Sequence, residues 1–207
     1  MEKIKKNFKP GEIRDLTIFI LTVSLILTFQ GEFLTGLYID PQIFLLVIIV
    51  TVSMFLRMFF HKLMASRLGC TATFKLWLTG LVIGLVSLFL KLAFGVIFLA
   101  IGFVEIVPYK FGRWGIKLIR MTSRDYAHIA LAGVGVNLLL MLFFGILYTT
   151  YPSIIIFQMI SKTNGLLAFF SLLPIPPLEG SHVLRASIWN WVILIIFNIL
   201  SLVIIWV

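Results

Sequence analysis

Apolar residues in this chain come in long runs, and polar residues mark where the runs stop. The runs fall at 16–30, 42–60, 78–107, 127–150, 153–173 and 184–206. A helix needs about 20 apolar residues to cross a hydrocarbon core, so several of these are short for a full crossing. The pattern predicts an all-α polytopic membrane protein of about six helical elements, organised as a single integral membrane domain over 1–207. No soluble domain, low-complexity linker or internal repeat is visible. Residues 1–15 form a polar, basic segment ahead of the first run, and the apolar stretch behind it lacks a small-residue cleavage site, so the first span is expected to remain.

Two of the runs are not simple spans. The stretch 78–107 holds Lys91 near its middle, with Gly80, Gly84, Gly95 and Gly102 scattered through it. Lys3, Lys5, Lys6, Lys9 and Arg14 hold the N-terminus in the cytoplasm by the positive-inside rule, while 31–41 carries Glu32 and Asp40 and no base, which suits the outside. Were 78–107 to cross once, the most basic loop of the chain, with Lys110, Arg113, Lys117, Arg120 and Arg124, would lie outside. A re-entrant hairpin that turns around Lys91, or two short passes packed against protein, keeps that loop inside; the hairpin is preferred here, and one long tilted span is the alternative. The second irregular stretch is 171–187, "SLLPIPPLEGSHVLRAS", where Pro174, Pro176 and Pro177 forbid a continuous helix. Lys162 and Asn164 are expected in a loop between short spans.

Composition agrees with the pattern. Hydrophobic residues make up 61% of the chain, against about 45–50% in soluble domains, and the mean hydropathy is +1.13. Lys and Arg outnumber Asp and Glu by 17 to 8. This excess reads as anchoring to membrane lipids at the cytoplasmic face, in the plasma membrane, and no basic aromatic face suggests nucleic acid. The single cysteine, Cys70, excludes an internal disulfide or a Cys-rich metal cluster.

Ionisable residues inside apolar runs are the candidates for chemistry, because a charge at membrane depth is costly and normally meets a partner in the bundle interior. In "LRMFFHKLMASRLG", residues 56–69, Arg57 and His61 are four apart and share a helix face. Arg57 could alternatively reach the cytoplasmic interface alongside Lys62. In the Pro-rich break, Glu179 and His182 would share a face if helix resumes there, which brings together two groups of metal-ligand type. Asn137 is expected as an interhelical hydrogen-bonding residue beside a close-packing Gly133. His128 is expected at the interface, and the five tryptophans in belt or packing positions.

The segments "FKPGEIRDL" at 8–16, "HKLMASRLGCTATFKLW" at 61–77, "IALAGVGVN" at 129–137 and "LLPIPPLEGSHVLR" at 172–185 are similar to the framework of the site-2 protease family of intramembrane zinc metalloproteases, particularly its small archaeal-type members. In that family HExxH supplies two zinc-binding histidines and a water-activating glutamate, and an LDG motif after a Pro-rich segment supplies the third ligand. Here HExxH falls on Arg57-Met58-Phe59-Phe60-His61, so the first histidine is Arg57 and the glutamate is Met58. The acid of LDG is Glu179, Ser171 stands where asparagine is usual, and Gly133 and Asn137 match GxxxN with Val134 in place of proline. The resemblance thus implies a degenerate active-site motif with vestigial positions Arg57, Met58 and His61.

Zinc is the metal the resemblance implies, and a retained ion would have to use His61, Glu179 and His182. Arg57 opposes this, since a guanidinium about 4–5 Å from a divalent ion costs on the order of 7 kcal/mol at an effective dielectric near 20, and Met58 cannot accept a proton from metal-bound water. The expectation is therefore no cofactor, and an Arg57–Glu179 ion pair in the old metal region. Gly133, Asn137, Ser171, Pro174, Pro176 and Pro177 then form a helix-packing or client-binding surface. Three functions follow in order of preference: a catalytically inactive, protease-like membrane protein that binds membrane protein helices as an assembly factor, regulator or accessory subunit of a membrane complex; a residual zinc peptidase with a rearranged site; and a small transporter or channel-like component.

Overall fold

The computed structural model describes residues 9–29, 42–112, 115–118 and 120–206. The basic positions Lys3, Lys5, Lys6 and Arg113, Trp114 and the acidic 31–41 segment lie outside them.

Helix α1 (Pro10–Thr28) begins inside the polar N-terminal segment, ahead of the apolar run. Pro10 suits a first helical turn because its missing N–H would have no helical partner there, and Glu12 reaches back to the Lys9 N–H at 3.4 Å. Helix α2 (Gln42–Arg67) carries the second run two turns past its apolar end and stops at Gly69, which takes a left-handed φ of 78° and feeds strand β1 (Thr71–Leu76). Helix α3 (Leu78–Phe94) ends on Gly95, again left-handed, and the chain then returns as irregular backbone to strand β2 (Gly102–Val107). β2 pairs antiparallel with β1, from Leu76 opposite Gly102 to Thr71 opposite Val107. The strands that flank α3 are therefore hydrogen-bonded neighbours. Gly80 permits the close return, since a Cβ there would overlap the Ala100 carbonyl oxygen.

A second hairpin, β3 (Tyr109–Gly112) with β4 (Gly115–Leu118), precedes helix α4 (Ser123–Thr150). Thr122 and Asp125 close the start of α4 reciprocally: the Asp125 N–H donates to Thr122 Oγ1 at 3.3 Å and the Thr122 N–H donates to Asp125 Oδ2 at 2.8 Å. Helices α5 (Ile155–Ser171), α6 (Glu179–Ala186) and α7 (Ile188–Trp206) complete the chain.

Three expectations are corrected here. The fold is not all-α, because the described residues include four short strands in two hairpins. Seven helices are described rather than about six: the Pro-rich break leads into α6, which the pattern of long apolar runs does not reveal because it is eight residues long and mostly polar. Lys162 and Asn164 lie within α5, where the Asn164 amide donates to the Ile160 carbonyl at 2.9 Å.

Helices α2, α4 and α7 are long and apolar enough to cross a membrane. Their outward side chains fit that solvent: Phe44, Ile48 and Ile204 are 60–70% exposed, an arrangement that water would penalise and hydrocarbon accepts. α4 is the central post, packed on α2, α5 and α6, while α1 lies against α2 and β1. Lys91 on α3 donates to the Ile26 and Leu27 carbonyls at 2.9 and 2.8 Å, so its ammonium caps the C-terminal end of α1, where the helix dipole favours a cation. On β1, the Phe74 and Leu76 N–H groups donate to the carboxylates of Glu12 at 3.0 Å and Asp15 at 3.2 Å. Glu12 is buried and also pairs with Lys62 at 2.7 Å.

Candidate functional site

The middle of α2 turns Arg57, Met58 and His61 inward, where α4 and α6 cover them; all three are at most 4% exposed. Glu179, at the start of α6, enters the same region and is 2% exposed. A carboxylate suits that position because the N-terminal end of a helix favours negative charge. Arg57 Nη2 donates to Glu179 Oε1 at 2.6 Å, a charge-assisted bond across 122 residues of sequence. Arg57 is thus turned into the protein interior, while Lys62 pairs with Glu12.

His61 Nδ1 lies 2.8 Å from the Ile129 carbonyl, which can only accept, so this nitrogen carries a proton. Its Nε2 sits 3.9 Å from the Glu179 oxygen already taken by Arg57. α4 approaches this closely because residue 133 is glycine: a Cβ there would overlap the His61 ring. Met58, fully buried, packs into the main apolar core with Met54 and Val50. Arg57 Nε, His61 Nε2, Glu179 Oε2 and both amide atoms of Asn137 have no protein hydrogen-bond partner among the described residues. A cavity of about 10 Å³, roughly room for one water, touches Arg57 and Ser171.

The remaining candidates lie elsewhere. The Ser171 hydroxyl donates to Leu167 of its own helix at 2.7 Å, and Pro174 and Pro176 are exposed. His182 stacks on Tyr126 with ring centroids 5.4 Å apart, and His128 is exposed near the start of α4. Sequence reasoning singled out neither Glu12 nor Asp15, which it left unassigned within the basic segment 1–15. The Pro10-x-Glu12 spacing of a helix start was the signal available.

No protein-family model matches the chain, and neither does any solved structure. A protein of Methanocaldococcus jannaschii named "Putative zinc metalloprotease" is 32% identical over 195 residues, covering 90% of this chain and 90% of its own length. This chain belongs to that zinc metalloprotease family. Membership makes zinc the ion to test against the side chains. A catalytic zinc takes three protein ligands and keeps a position open for water. Among the described residues no three of His, Cys, Asp and Glu are grouped to hold a metal. The set of His61, Glu179 and His182 is not among such groups; the His182 ring lies against Tyr126 and Arg57 holds one Glu179 oxygen. Two anion-like or lone-pair donors beside a buried guanidinium do not fit a divalent ion, so the zinc metalloprotease framework here carries a donor set unsuited to zinc.

Proposed function

We propose that this protein is a catalytically silent relative of the site-2 proteases that retains the fold to bind transmembrane helices of other proteins, as an assembly factor, regulator or accessory subunit of a membrane complex. The observation that carries this reading is the buried Arg57–Glu179 pair, which puts a guanidinium where the resemblance places a ligand histidine. Met58 supports it, since a buried thioether offers no base to deprotonate a nucleophilic water. The ion pair then serves to register α2 against α6, a conformational role for which buried charge pairs are retained even when their net stabilisation is small. In this reading the protein sits in the plasma membrane with its N-terminus cytoplasmic, and 78–107 dips into the bilayer and returns; the pairing of β1 with β2 at its two ends supports the return.

The test is affinity purification of the full chain from native membranes, combined with elemental analysis of the purified protein. A stoichiometric membrane protein partner and no bound zinc are expected. Stoichiometric zinc that disappears in His61→Ala, or cleavage of a helical peptide by pure protein, would overturn the silent assignment.

A further inference from the structure

The outer face of α4 carries a stripe unrelated to the Arg57 centre. Arg124, His128, Leu131, Gly135, Leu139 and Phe143 follow one another at three- and four-residue steps and so share one helix face. At the top of the stripe is a polar cavity of about 420 Å³, where Arg124 and His128 face Ser187 and Asn190 at the junction of α6 and α7. The N-terminal ends of α4 and α7, both long and apolar enough to cross a membrane, meet there. Trp189, 74% exposed beside the cavity, is the amphipathic ring expected at a membrane–water boundary. Asp125 is the adjacent acid, and its carboxylate is engaged by the backbone and hydroxyl of Thr122 at 2.8 Å each.

Leu131 lines this cavity and also opens a second one, an apolar groove of about 520 Å³ between α2 and α4, walled by Leu56, Phe60, Leu139 and Phe143. Its floor is low because residue 135 has no side chain, and a Cβ placed there would meet nothing within 4 Å. From Leu131 to Phe143 the helix rises about 18 Å, comparable with one leaflet, about half of a 30 Å hydrocarbon core. Cationic and hydrogen-bonding groups at the boundary end, joined through one residue to a leaflet-long apolar channel, make a polar head and an apolar tail of one binding surface.

We propose that this surface holds an anionic phospholipid, its phosphate between Arg124, His128 and Asn190 and one acyl chain along the groove. Basic pockets between helices at the membrane surface recognise such headgroups by charge, and the channel supplies an acyl contact that free phosphate lacks.

Native mass spectrometry of the full chain, released from micelles doped with phosphatidylglycerol or phosphatidylcholine, tests it. The wild-type protein is expected to retain phosphatidylglycerol preferentially. Arg124→Gln should lower that retention about five-fold, the factor equivalent to the ~1 kcal/mol of one basic residue at an anionic surface, and Arg124→Gln with His128→Gln should lower it further. Gly135→Phe should reduce retention of both lipids by filling the channel. All three positions are at least partly exposed, and circular dichroism melting confirms that each variant is folded. Equal retention of the two lipids by the wild type, or an unchanged preference in the Arg124 and His128 variants, overturns the proposal. Complete displacement of the lipid by inorganic phosphate also overturns it, because a site for free phosphate would not depend on the groove.

Discussion

Deleting one side of the Arg57–Glu179 pair should harm the protein far more than deleting both. At 2.6 Å, and with side chains 5% and 2% exposed, the attraction is about 6 kcal/mol at an effective dielectric near 20. Removing two ions from water costs several kcal/mol each, which offsets most of that gain. Truncating one partner removes the attraction but leaves the other charge buried, and such changes cost about 3–5 kcal/mol. Arg57→Met and Glu179→Leu are therefore each expected to destabilise by that amount, with the burial of His61 Nε2 near the pair adding no relief after Glu179 is lost. The double variant Arg57→Met, Glu179→Leu replaces the pair with apolar groups of similar length and should lie within about 1–2 kcal/mol of wild type, or above it. The assay is equilibrium unfolding in mixed micelles, following helical signal as denaturing detergent is titrated in, with all four proteins compared in one cycle. Single variants that each lose less than 1 kcal/mol, or a double variant whose loss equals the sum of the two, would refute the argument that these charges are buried and mutually dependent.

Three further outcomes follow from the same geometry. Gly133→Ala should destabilise by about 1–3 kcal/mol, because the added methyl forces the His61 ring from its bond to Ile129, whereas Gly135→Ala should be neutral or gain about 0.5–1 kcal/mol of helix propensity; the same titration reads both. Cys70 should react slowly with a maleimide in folded protein at neutral pH and accelerate on unfolding: burial first, and the Asp125 carboxylate second, push its thiol pKa up, so the reactive thiolate is scarcer in the folded protein than in the unfolded one. Combining Arg57→His with Met58→Glu should let the protein take up zinc in elemental analysis where the parent does not, since the change removes the repelling cation and adds both a ligand and a base. Failure of that variant to gain zinc would mean that the surrounding backbone, and not only these two side chains, has drifted from a metal-binding arrangement.

The chain announces its spans well and its connections poorly. Long apolar runs located α2, α4 and α7, because such runs depend on composition over many residues. The strands were not placed because they are short: Thr71–Leu76 is six residues between two helices, and the second hairpin is basic enough to read as a loop. α6 follows three prolines and is too short for periodicity to speak. Arg57, His61 and Glu179 could be named because each stands in or against a motif, but no local pattern links residue 57 to residue 179. Glu12 and Asp15 were not singled out because no local pattern ties a carboxylate near an N-terminus to the strand N–H groups it accepts from.

That strand edge has a further consequence. The outward N–H groups of a terminal strand are a template on which any extended polypeptide can add, and proteins commonly blunt such edges with charge. Here the blunting comes from carboxylates on a helix rather than from residues within the strand. The first two turns of α1 therefore act as a guard supplied from outside the sheet: removing them, or neutralising Glu12 and Asp15 together, would leave the Phe74 and Leu76 N–H groups without these acceptors.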